Sequence, residues 1–215
     1  MTRFERYVLR TTDLAAARAF YAELIGAAEI EPLPADAIAR GARPHWLGTL
    51  GVDDVDLAAR ELVARGATRV GPPHAGVLRD PGGAVVAVAK APRPTALAVV
   101  WHHLSTLDVQ RATDAYVALF GWQVTERAQV GPYVIDQFAW EAGGPHAGSI
   151  ENITGKDGRH PHWLFHFPTA DLDRAVAYVR ARGGLALEPM RAPDGDRVAV
   201  CDDPQGAAFA LREPA

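Results

Sequence analysis

A stretch of 24 residues occurs twice in this chain and restricts its fold more than any other feature. The copies read PHWLGTLGVDDVDLAARELVARGA at 44–67 and PHWLFHFPTADLDRAVAYVRARGG at 161–184, and they align without a gap at an offset of 117 residues. Ten positions are identical, including a Pro-His-Trp start and an Arg-Gly end. Each copy reads as an apolar strand, an Asp-capped amphipathic helix and a glycine stop. Such a repeat indicates a fold built from duplicated supersecondary units.

The segments that precede the two copies are also related to each other, at an offset of 95 residues. The matched pairs are Leu9/Leu104, Thr11/Thr106, Asp13/Asp108, Tyr21/Tyr116, Leu24/Leu119 and Gly26/Gly121. Three strands are predicted after the second of these helices, whereas 27–43 holds at most one strand and a connector. The sequence therefore predicts an α+β protein made of four βα units, each followed by up to three strands, with the first unit shortened.

The best linker in the sequence is Lys-Ala-Pro-Arg-Pro at 90–94, where two prolines stiffen the chain. We therefore expect two domains, at 1–91 and 97–213, each containing two βα units. The first domain would have the shortened unit and the second would be complete.

The overall charge and the cysteine content exclude several classes of partner. The net charge is -4 and the pI is near 6.0, without a basic stripe, so we expect no nucleic acid and no anionic membrane as partner. A single cysteine, Cys201, excludes an internal disulfide framework and a multi-cysteine metal site. No apolar run approaches 18 residues and the N-terminus does not read as a signal peptide, so the expected location is the cytoplasm.

The strand-helix-three-strand unit, paired twice, resembles the vicinal oxygen chelate superfamily, which includes glyoxalase I, bleomycin-resistance proteins, extradiol dioxygenases and methylmalonyl-CoA epimerases. The resemblance rests on the Asp-led helices that end in Leu-Gly or Phe-Gly-Trp, on Pro-His-Trp, and on the Asp-Pro-x-Gly turns at 80–83 and 203–206. These motifs look most like two-domain, glyoxalase-like "hydroxylase" proteins of actinobacteria. The resemblance implies tandem βαβββ modules and leaves the chemistry open, because this fold carries many reactions.

The resemblance also implies where metal ligands would stand. Metal-using relatives place a histidine on the first strand of a unit and a glutamate on the last strand. The corresponding residues here are Arg6, Leu47, Trp101 and Phe165 on first strands and Ala87 and Ala210 on last strands. These residues do not supply the set of N and O donors that a divalent ion needs, so we expect no metal and no other cofactor. The alternative is a divalent metal at a displaced site formed by His103, Glu151 and His162.

Alternation along the strands of the second domain predicts a ligand cavity with aromatic walls. The expected ligand-binding residues are Trp101, His103, Ser105, Tyr133, Ile135, Gln137, Trp163, Phe165, Phe167 and Ala210. For the strand at 133–140, the alternate face with Val134, Asp136 and Phe138 stays open. Such a wall suits a flat organic ligand, although the same aromatic residues would also fill a closed core.

His103 is the expected general acid or base, or else a hydrogen-bonding anchor, because histidine titrates near neutrality. His45 and His162 stand in the repeated Pro-His-Trp motif, so we expect them to form local hydrogen bonds at the start of their strands.

Three functions are compatible with this sequence. The first is metal-independent binding of a small aromatic or hydrophobic metabolite, as in drug binding or self-resistance. The second is enzymatic, as a lyase, isomerase or tailoring enzyme of secondary metabolism that uses His103. In the third, the shortened first domain serves as a docking surface, and a homodimer would cover its exposed sheet edge.

Overall fold

The computed structural model describes residues 1–72 and 75–215. The first two modules follow the predicted order, and module 1 is short because the helix α2 follows its second strand. Their elements are β1 (Phe4–Thr11), α1 (Leu14–Leu24), β2 (Glu29–Pro32) and α2 (Ala35–Ala39) in module 1, and β3 (His45–Val52), α3 (Val55–Ala64), β4 (Thr68–Arg69), β5 (Val77–Arg79) and β6 (Val85–Lys90) in module 2. The homodimer expected from this shortening stays a prediction.

Modules 3 and 4 are each longer, and both have at least three strands after the helix. Their elements are β7 (Trp101–Thr106), α4 (Val109–Phe120), β8 (Gln123–Val130), β9 (Tyr133–Ala139) and β10 (His146–Asn152) in module 3, and β11 (His162–Pro168), α5 (Leu172–Ala181), β12 (Leu185–Ala186), β13 (Met190–Arg191), β14 (Arg197–Asp202) and β15 (Ala208–Glu213) in module 4. This arrangement confirms the predicted α+β class with tandem βαβββ modules.

The four long helices begin in the same way. The side chains of Asp13, Asp54, Asp108 and Asp171 each accept a hydrogen bond from the backbone N–H three residues further on, at 2.9–3.0 Å. A cap of this kind stabilises a helix by about 1 kcal/mol. At the other end, α4 stops at Gly121, whose φ of 75° lies in the left-handed region that favours glycine.

The chain divides into two compact units, each assembled from distant segments. The first unit comprises Met1–Arg6, Gly48–Pro94 and Trp101–Trp163, and so combines most of module 2 with module 3. The second unit comprises Tyr7–Leu47, Thr95–Val100 and Leu164–Ala215, and combines most of module 1 with module 4. The sequence predicted two domains, at 1–91 and 97–213, and this division stays a prediction. Each compact unit takes segments from both halves of the chain.

Within the first unit, β7 pairs in parallel with β10, β10 pairs antiparallel with β9, and β9 pairs antiparallel with β8. The module 2 strands of this unit pair in the order β3, β6, β5 and β4. Within the second unit, β1 pairs in parallel with β2, and β11 pairs in parallel with β15. The strand β14 pairs antiparallel with β15, β12 and β13. In β7 with β10 and in β11 with β15, the first strand of a module thus pairs with its last.

Aromatic residues fill the core of each unit. In the first unit, the ring of Trp122 stacks between Tyr116 and Phe138, with centroid distances of 4.6 and 5.0 Å. In the second unit, Tyr21 contacts Trp46 and Phe209 edge-on, at 5.2 and 5.6 Å. These rings bury large apolar areas, and their offset or edge-on geometry adds about 0.5–1.5 kcal/mol per pair.

Each of the repeated Asp-Pro-x-Gly turns is fixed by hydrogen bonds from its own backbone to its aspartate. In the first unit, Asp80 accepts from the backbone N–H groups of Gly82 and Ala84, both at 2.9 Å. In the second unit, Asp203 accepts from the N–H groups of Gln205 and Ala207, at 2.8 and 2.9 Å. The residues shared by the sequence repeats therefore build the fold.

The two histidines of the Pro-His-Trp motifs have the expected local role. His45 Nδ1 lies 2.7 Å from the carbonyl oxygen of Arg43, and His162 Nδ1 lies 2.8 Å from that of His160. A carbonyl only accepts, so each Nδ1 carries a proton and donates. Burial lowers the pKa of His162 to about 4, which keeps its ring neutral near pH 7.

Candidate functional site

One face of the sheet segment β7–β10–β9 carries the polar residues expected to contact a ligand. Alternation places Trp101, His103 and Ser105 on the same face of β7. The strand register sets His103 beside Ser149 and Ser149 beside Gln137, and in the next row Ser105 beside Glu151. Cross-strand neighbours point to the same side of a sheet, so these side chains form one cluster. We call it the His103 cluster.

A directed chain of hydrogen bonds holds His103 in place. The indole N–H of Trp101 donates to Ser149 Oγ at 3.0 Å, and the same hydroxyl lies 2.8 Å from His103 Nδ1. His103 Nε2 lies 3.4 Å from Glu151 Oε2. An ionised carboxylate only accepts, so Nε2 carries the proton, and Nδ1 accepts from the Ser149 hydroxyl. Both ring nitrogens of His103 thus have a protein partner.

The carboxylate of Glu151 is buried and paired with two cations. Its side chain is 3% exposed, and its Oε1 accepts from Lys156 Nζ and, at 2.9 Å, from Arg159 Nη1. Burial by itself raises the pKa of Glu151, but the hydrogen bonds from His103 and Lys156 and the charge of Arg159 outweigh it and lower the pKa to about 2. Glu151 is therefore ionised at neutral pH and cannot donate a proton to a ligand there.

Tyr133, at the start of β9, supports the two cations. The ammonium of Lys156 lies 5.0 Å from the centroid of its ring, and the guanidinium of Arg159 lies 5.2 Å from it. Both distances fall within the range of cation–π attraction. The ring therefore helps to hold the segment that carries Lys156 and Arg159 against Glu151.

Two polar atoms of the His103 cluster lack a protein partner within the described part of the chain. These are the hydroxyl oxygen of Ser105, which is 1% exposed, and the amide oxygen of Gln137, which is 3% exposed. A buried polar atom without a hydrogen bond costs about 1–3 kcal/mol. Both oxygens can accept hydrogen bonds and the Ser105 hydroxyl can also donate one, which matches a ligand with hydroxyl or N–H groups.

The structure distributes the expected ligand residues over the two compact units. Trp101, His103, Ser105, Tyr133, Ile135, Gln137 and Trp163 belong to the first unit, and Phe165, Phe167 and Ala210 to the second. Ile135 is 6% exposed and lies beside Glu151 in the register of β9 and β10, so it adds an apolar position to the His103 cluster. Ile135 and Gln137 thus lie on the face of β9 that carries the His103 cluster, whereas Phe138 packs in the core.

Trp163 lies in the core of the first unit. It is 3% exposed, its indole N–H donates to the hydroxyl of Tyr116 at 3.2 Å, and its ring contacts Tyr116 edge-on at 5.6 Å. The expected position in the wall of a cavity is therefore corrected to a position against α4.

Phe165 and Phe167 are fully buried in the second unit. The ring centroid of Phe165 lies 5.0 Å from that of Tyr7, and the ring centroid of Phe167 lies 4.9 Å from that of Trp46. The opposite face of β11 carries Leu164, which packs with Ala210 and Val198. The sequence-based assignment on β11 is thus displaced by one residue. Side chains alternate with a period of two, so such a displacement moves every side chain to the other face.

The positions compared with the relatives' first-strand histidine lie seven residues before the aspartate that caps the following helix, as Arg6, Leu47 and Trp101 lie before Asp13, Asp54 and Asp108. The helix cap of module 4 is Asp171, and the residue seven positions before it is Leu164 rather than Phe165. With Leu164 in place of Phe165, first-strand positions in modules 2 and 4 both hold leucine. In module 3 this face carries the His103 cluster.

Ser149, Lys156 and Arg159 were not predicted as site residues, and Glu151 was considered only as a metal ligand in the displaced site. Their contribution depends on the parallel pairing of β7 with β10 and on the return of the segment at 153–160 towards Glu151. One signal was present in the sequence, since Ser149 and Glu151 are alternate polar residues that follow Ala147 and Gly148 and flank Ile150 in β10.

The side chains of the His103 cluster fit a divalent metal poorly. Both carboxylate oxygens of Glu151 are already engaged, Oε1 by two cations and Oε2 by His103. His162 Nδ1 is turned to a backbone carbonyl, and Trp101 and Ala210 have no donor atom for a metal. Within 1–72 and 75–215, His, Cys, Asp and Glu side chains form no group of three that could hold a metal ion. The metal-free assignment remains a prediction.

The model of the Glyoxalase/Bleomycin resistance protein/Dioxygenase superfamily matches residues 98–211, which is more than half of the chain. The chain belongs to this superfamily. The match covers modules 3 and 4 and therefore includes the whole His103 cluster. It supports a role in ligand binding or catalysis. Among the described helices, none combines the length and apolar character required to cross a membrane.

Two groups of relatives extend over different parts of the chain. Proteins of Mycobacterium tuberculosis and Mycobacterium bovis named "Putative glyoxylase CFP32" are 28% identical over 96% of this chain and 93% of their own length. The "Anthracycline biosynthesis protein DauV" of Streptomyces sp. strain C5 is 31% identical over 53% of this chain and 46% of its own length.

Solved structures with similar folds include two full-length matches. The 2,3-dioxygenase LapB of Pseudomonas sp. KL28 has a TM-score of 0.62 at 12% identity and covers 99% of this chain and 92% of its own. A mutant of the 4-hydroxymandelate synthase of Streptomyces coelicolor has a TM-score of 0.61 at 14% identity, and covers 100% and 93%. At these identities the likeness concerns the fold alone.

Proposed function

We propose that this protein binds a small aromatic or hydrophobic metabolite, without a metal, at the His103 cluster. The observation that carries the proposal is the pair of buried atoms, Gln137 Oε1 and Ser105 Oγ, that have no protein partner among the described residues. They lie on the same face as Trp101 and Ile135, which supply apolar surface. A planar ligand with hydroxyl groups would satisfy the polar atoms and cover the apolar ones.

The surroundings of His103 favour binding over proton transfer. A general base needs a free nitrogen within hydrogen-bond reach of the proton that it abstracts. Here Nδ1 faces Ser149 and Nε2 faces Glu151, so both nitrogens are engaged. His103 in this state orients the cluster and presents its ring to a ligand.

The relatives named for anthracycline biosynthesis match about half of this chain. We take their name as support for an aromatic ligand. We therefore take a hydroxylated polycyclic ring system as the ligand class for a first test. In a producing organism, binding of such a compound would serve drug sequestration or self-resistance.

Emodin, a hydroxylated anthraquinone, and unsubstituted anthraquinone form a matched pair of probes. We expect saturable binding of emodin by calorimetry to the EDTA-treated protein, and a loss of about tenfold in affinity with Gln137→Leu, which removes the amide oxygen. Anthraquinone has no hydroxyl group and should lose little affinity in the same variant. Emodin binding that Gln137→Leu and His103→Ala leave unchanged, or no saturable binding at all, would contradict the proposal.

A second candidate function is enzymatic, as a lyase, isomerase or tailoring enzyme, and it rests on the length of one bond. The His103 Nε2 to Glu151 Oε2 distance of 3.4 Å is long, so a ligand hydroxyl could replace the carboxylate and exchange a proton with Nε2. Conversion of the bound compound would be monitored by mass spectrometry. A His103→Gln variant that keeps ligand affinity but no longer converts the compound would favour this function. Unchanged ligand after prolonged incubation with the wild-type protein would favour binding.

A further inference from the structure

The charges around Glu151 do not cancel. Lys156 and Arg159 both contact Oε1 of this one carboxylate. Two positive charges therefore face one negative charge, and a positive charge remains beside His103. Charges in a partly buried site interact more strongly than in water, so an excess of this kind has consequences for a ligand.

Other charged groups near the cluster leave this excess uncompensated. Asp136, on β9, is held by the guanidinium of Arg127 at 2.7 and 3.1 Å. Asp157 lies between the two cations in sequence and is exposed, where water screens its charge. The ring of His162 adds no charge, because burial lowers its pKa to about 4 and the ring is neutral near pH 7.

Lys156 and Arg159 keep hydrogen-bond donors for another partner. An ammonium has three N–H donors and a guanidinium has five. Glu151 accepts one hydrogen bond from each of these side chains. The guanidinium lies over the ring of Tyr133, and this contact uses none of its in-plane N–H donors. The two side chains are 35% and 36% exposed, so these donors remain accessible.

The contacts with Tyr133 and Glu151 also reduce the freedom of both cations. A cation fixed between a ring and a carboxylate has already lost much of the side-chain entropy that binding would otherwise cost. Such preorganised donors distinguish these residues from ordinary surface lysines and arginines, which move freely in water.

We propose that the ligand carries an ionised oxygen, as a carboxylate, phenolate or enolate, and that Lys156 and Arg159 determine this specificity. The ionised oxygen takes the free donors of the two cations, while the ring system lies along Trp101 and Ile135. This inference rests on the proposed function, because it concerns a ligand of the same site. It specifies that the ligand is negatively charged, a property that the buried atoms of Ser105 and Gln137 do not determine.

Anthraquinone carboxylate and anthraquinone carboxamide differ in charge and hardly in shape, and so test the inference by calorimetry on the full chain. We expect the carboxylate to bind about tenfold more tightly than the carboxamide, since a charge-assisted hydrogen bond is roughly twice as strong as a neutral one. Lys156→Gln and Arg159→Gln should each remove most of this preference. Rising salt should also reduce it, because a third of each side chain is exposed to solvent.

Three controls separate charge from structure. Lys156→Arg and Arg159→Lys keep the charge and should keep most of the preference even if either glutamine variant folds poorly. Lys90→Gln removes an equal charge at an exposed position of β6 and should leave the preference unchanged.

Equal affinity of the wild-type protein for both probes would overturn the inference and leave the proposed function intact. Binding of neither probe, together with no binding of emodin, would contradict the proposed function and the inference with it.

Discussion

The hydroxyl of Tyr116 lies 2.9 Å from Oδ2 of Asp80, and so a helix of module 3 donates a hydrogen bond to the terminal turn of module 2. In the other compact unit, the hydroxyl of Tyr21 makes the equivalent bond with Asp203 at 3.2 Å. In each unit a tryptophan from a Pro-His-Trp motif donates to the tyrosine oxygen at 3.2 Å. These triads explain why the same residue types recur in both halves of the sequence.

Replacing either tyrosine by phenylalanine should destabilise the protein. Tyr116→Phe and Tyr21→Phe each leave a buried carboxyl oxygen and an indole N–H without a partner, which we expect to lower the free energy of unfolding by about 1–3 kcal/mol. Urea unfolding followed by circular dichroism would measure it. Tyr133→Phe is the matched control, because its ring keeps the contacts with Lys156 and Arg159. Two variants as stable as the wild type would show that the triads contribute nothing.

The depressed pKa of Glu151 predicts a loss of stability in acid. A carboxylate with a pKa of about 2 in the folded state and 4.5 when unfolded stabilises the fold above pH 4.5 and loses this contribution as the pH falls towards 2. The total contribution is about 3 kcal/mol. We expect Glu151→Gln to flatten the dependence of unfolding free energy on pH between 5 and 2.5, relative to Glu141→Gln at an exposed position. An unchanged slope would contradict the ion pairs of Glu151.

His102 should make the protein less stable between pH 6.5 and 4. Burial lowers its pKa to about 4, and the ring stacks on Phe4 with a centroid distance of 5.4 Å. The unfolded chain takes up a proton below pH 6.5 that the folded chain refuses until about pH 4, so stability is lost as the pH falls, by about 3 kcal/mol in total.

His102→Phe preserves the stacked ring and removes this titration, and should reduce the slope of unfolding free energy against pH in that window. His146→Phe, at a half-exposed position, is the control. If the unfolding free energy of His102→Phe depends on pH as steeply as that of the wild type, the acid sensitivity comes from other groups.

Two serines of the His103 cluster should respond oppositely to substitution by alanine. Ser149→Ala removes a hydroxyl that bonds both Trp101 and His103, so we expect a loss of about 1–3 kcal/mol in unfolding free energy. Ser105→Ala removes a buried hydroxyl without a protein partner in the described chain, so stability should stay the same or rise by up to about 1 kcal/mol. Urea unfolding of both variants would compare them directly. Equal destabilisation would mean that the Ser105 hydroxyl has a stabilising partner.

Sequence reasoning identified most of the fold because the fold is written in local patterns that occur more than once. Four capping aspartates, two Arg-Gly stops and two Asp-Pro-x-Gly turns define where elements begin and end. On β7 the alternation also placed Trp101, His103 and Ser105 on one face, where the structure has them; that they contact a ligand stays a prediction. On β11 the same reasoning failed by one residue, because an error of one position reverses all side chains of a strand.

The site was harder to predict, because its parts come from segments that are distant in sequence. His103 and Glu151 are 48 residues apart, and their contact depends on the parallel pairing of β7 with β10. Parallel pairing leaves no short-range signal, unlike a hairpin with a tight turn. The cations on the segment after β10 depend on a further return of the chain.

The sequence by itself determined the module type, the shortened first module, the helix caps and the superfamily, since each of these depends on residues within one segment. The tertiary structure decided which modules combine into a compact unit, which face of β11 is buried, and how His103, Glu151, Lys156 and Arg159 meet. These features depend on pairing and packing between distant segments, where the energy comes from contacts that exist only after folding. The charge placed beside His103 is such a feature, because neither cation has a partner until the chain returns to Glu151.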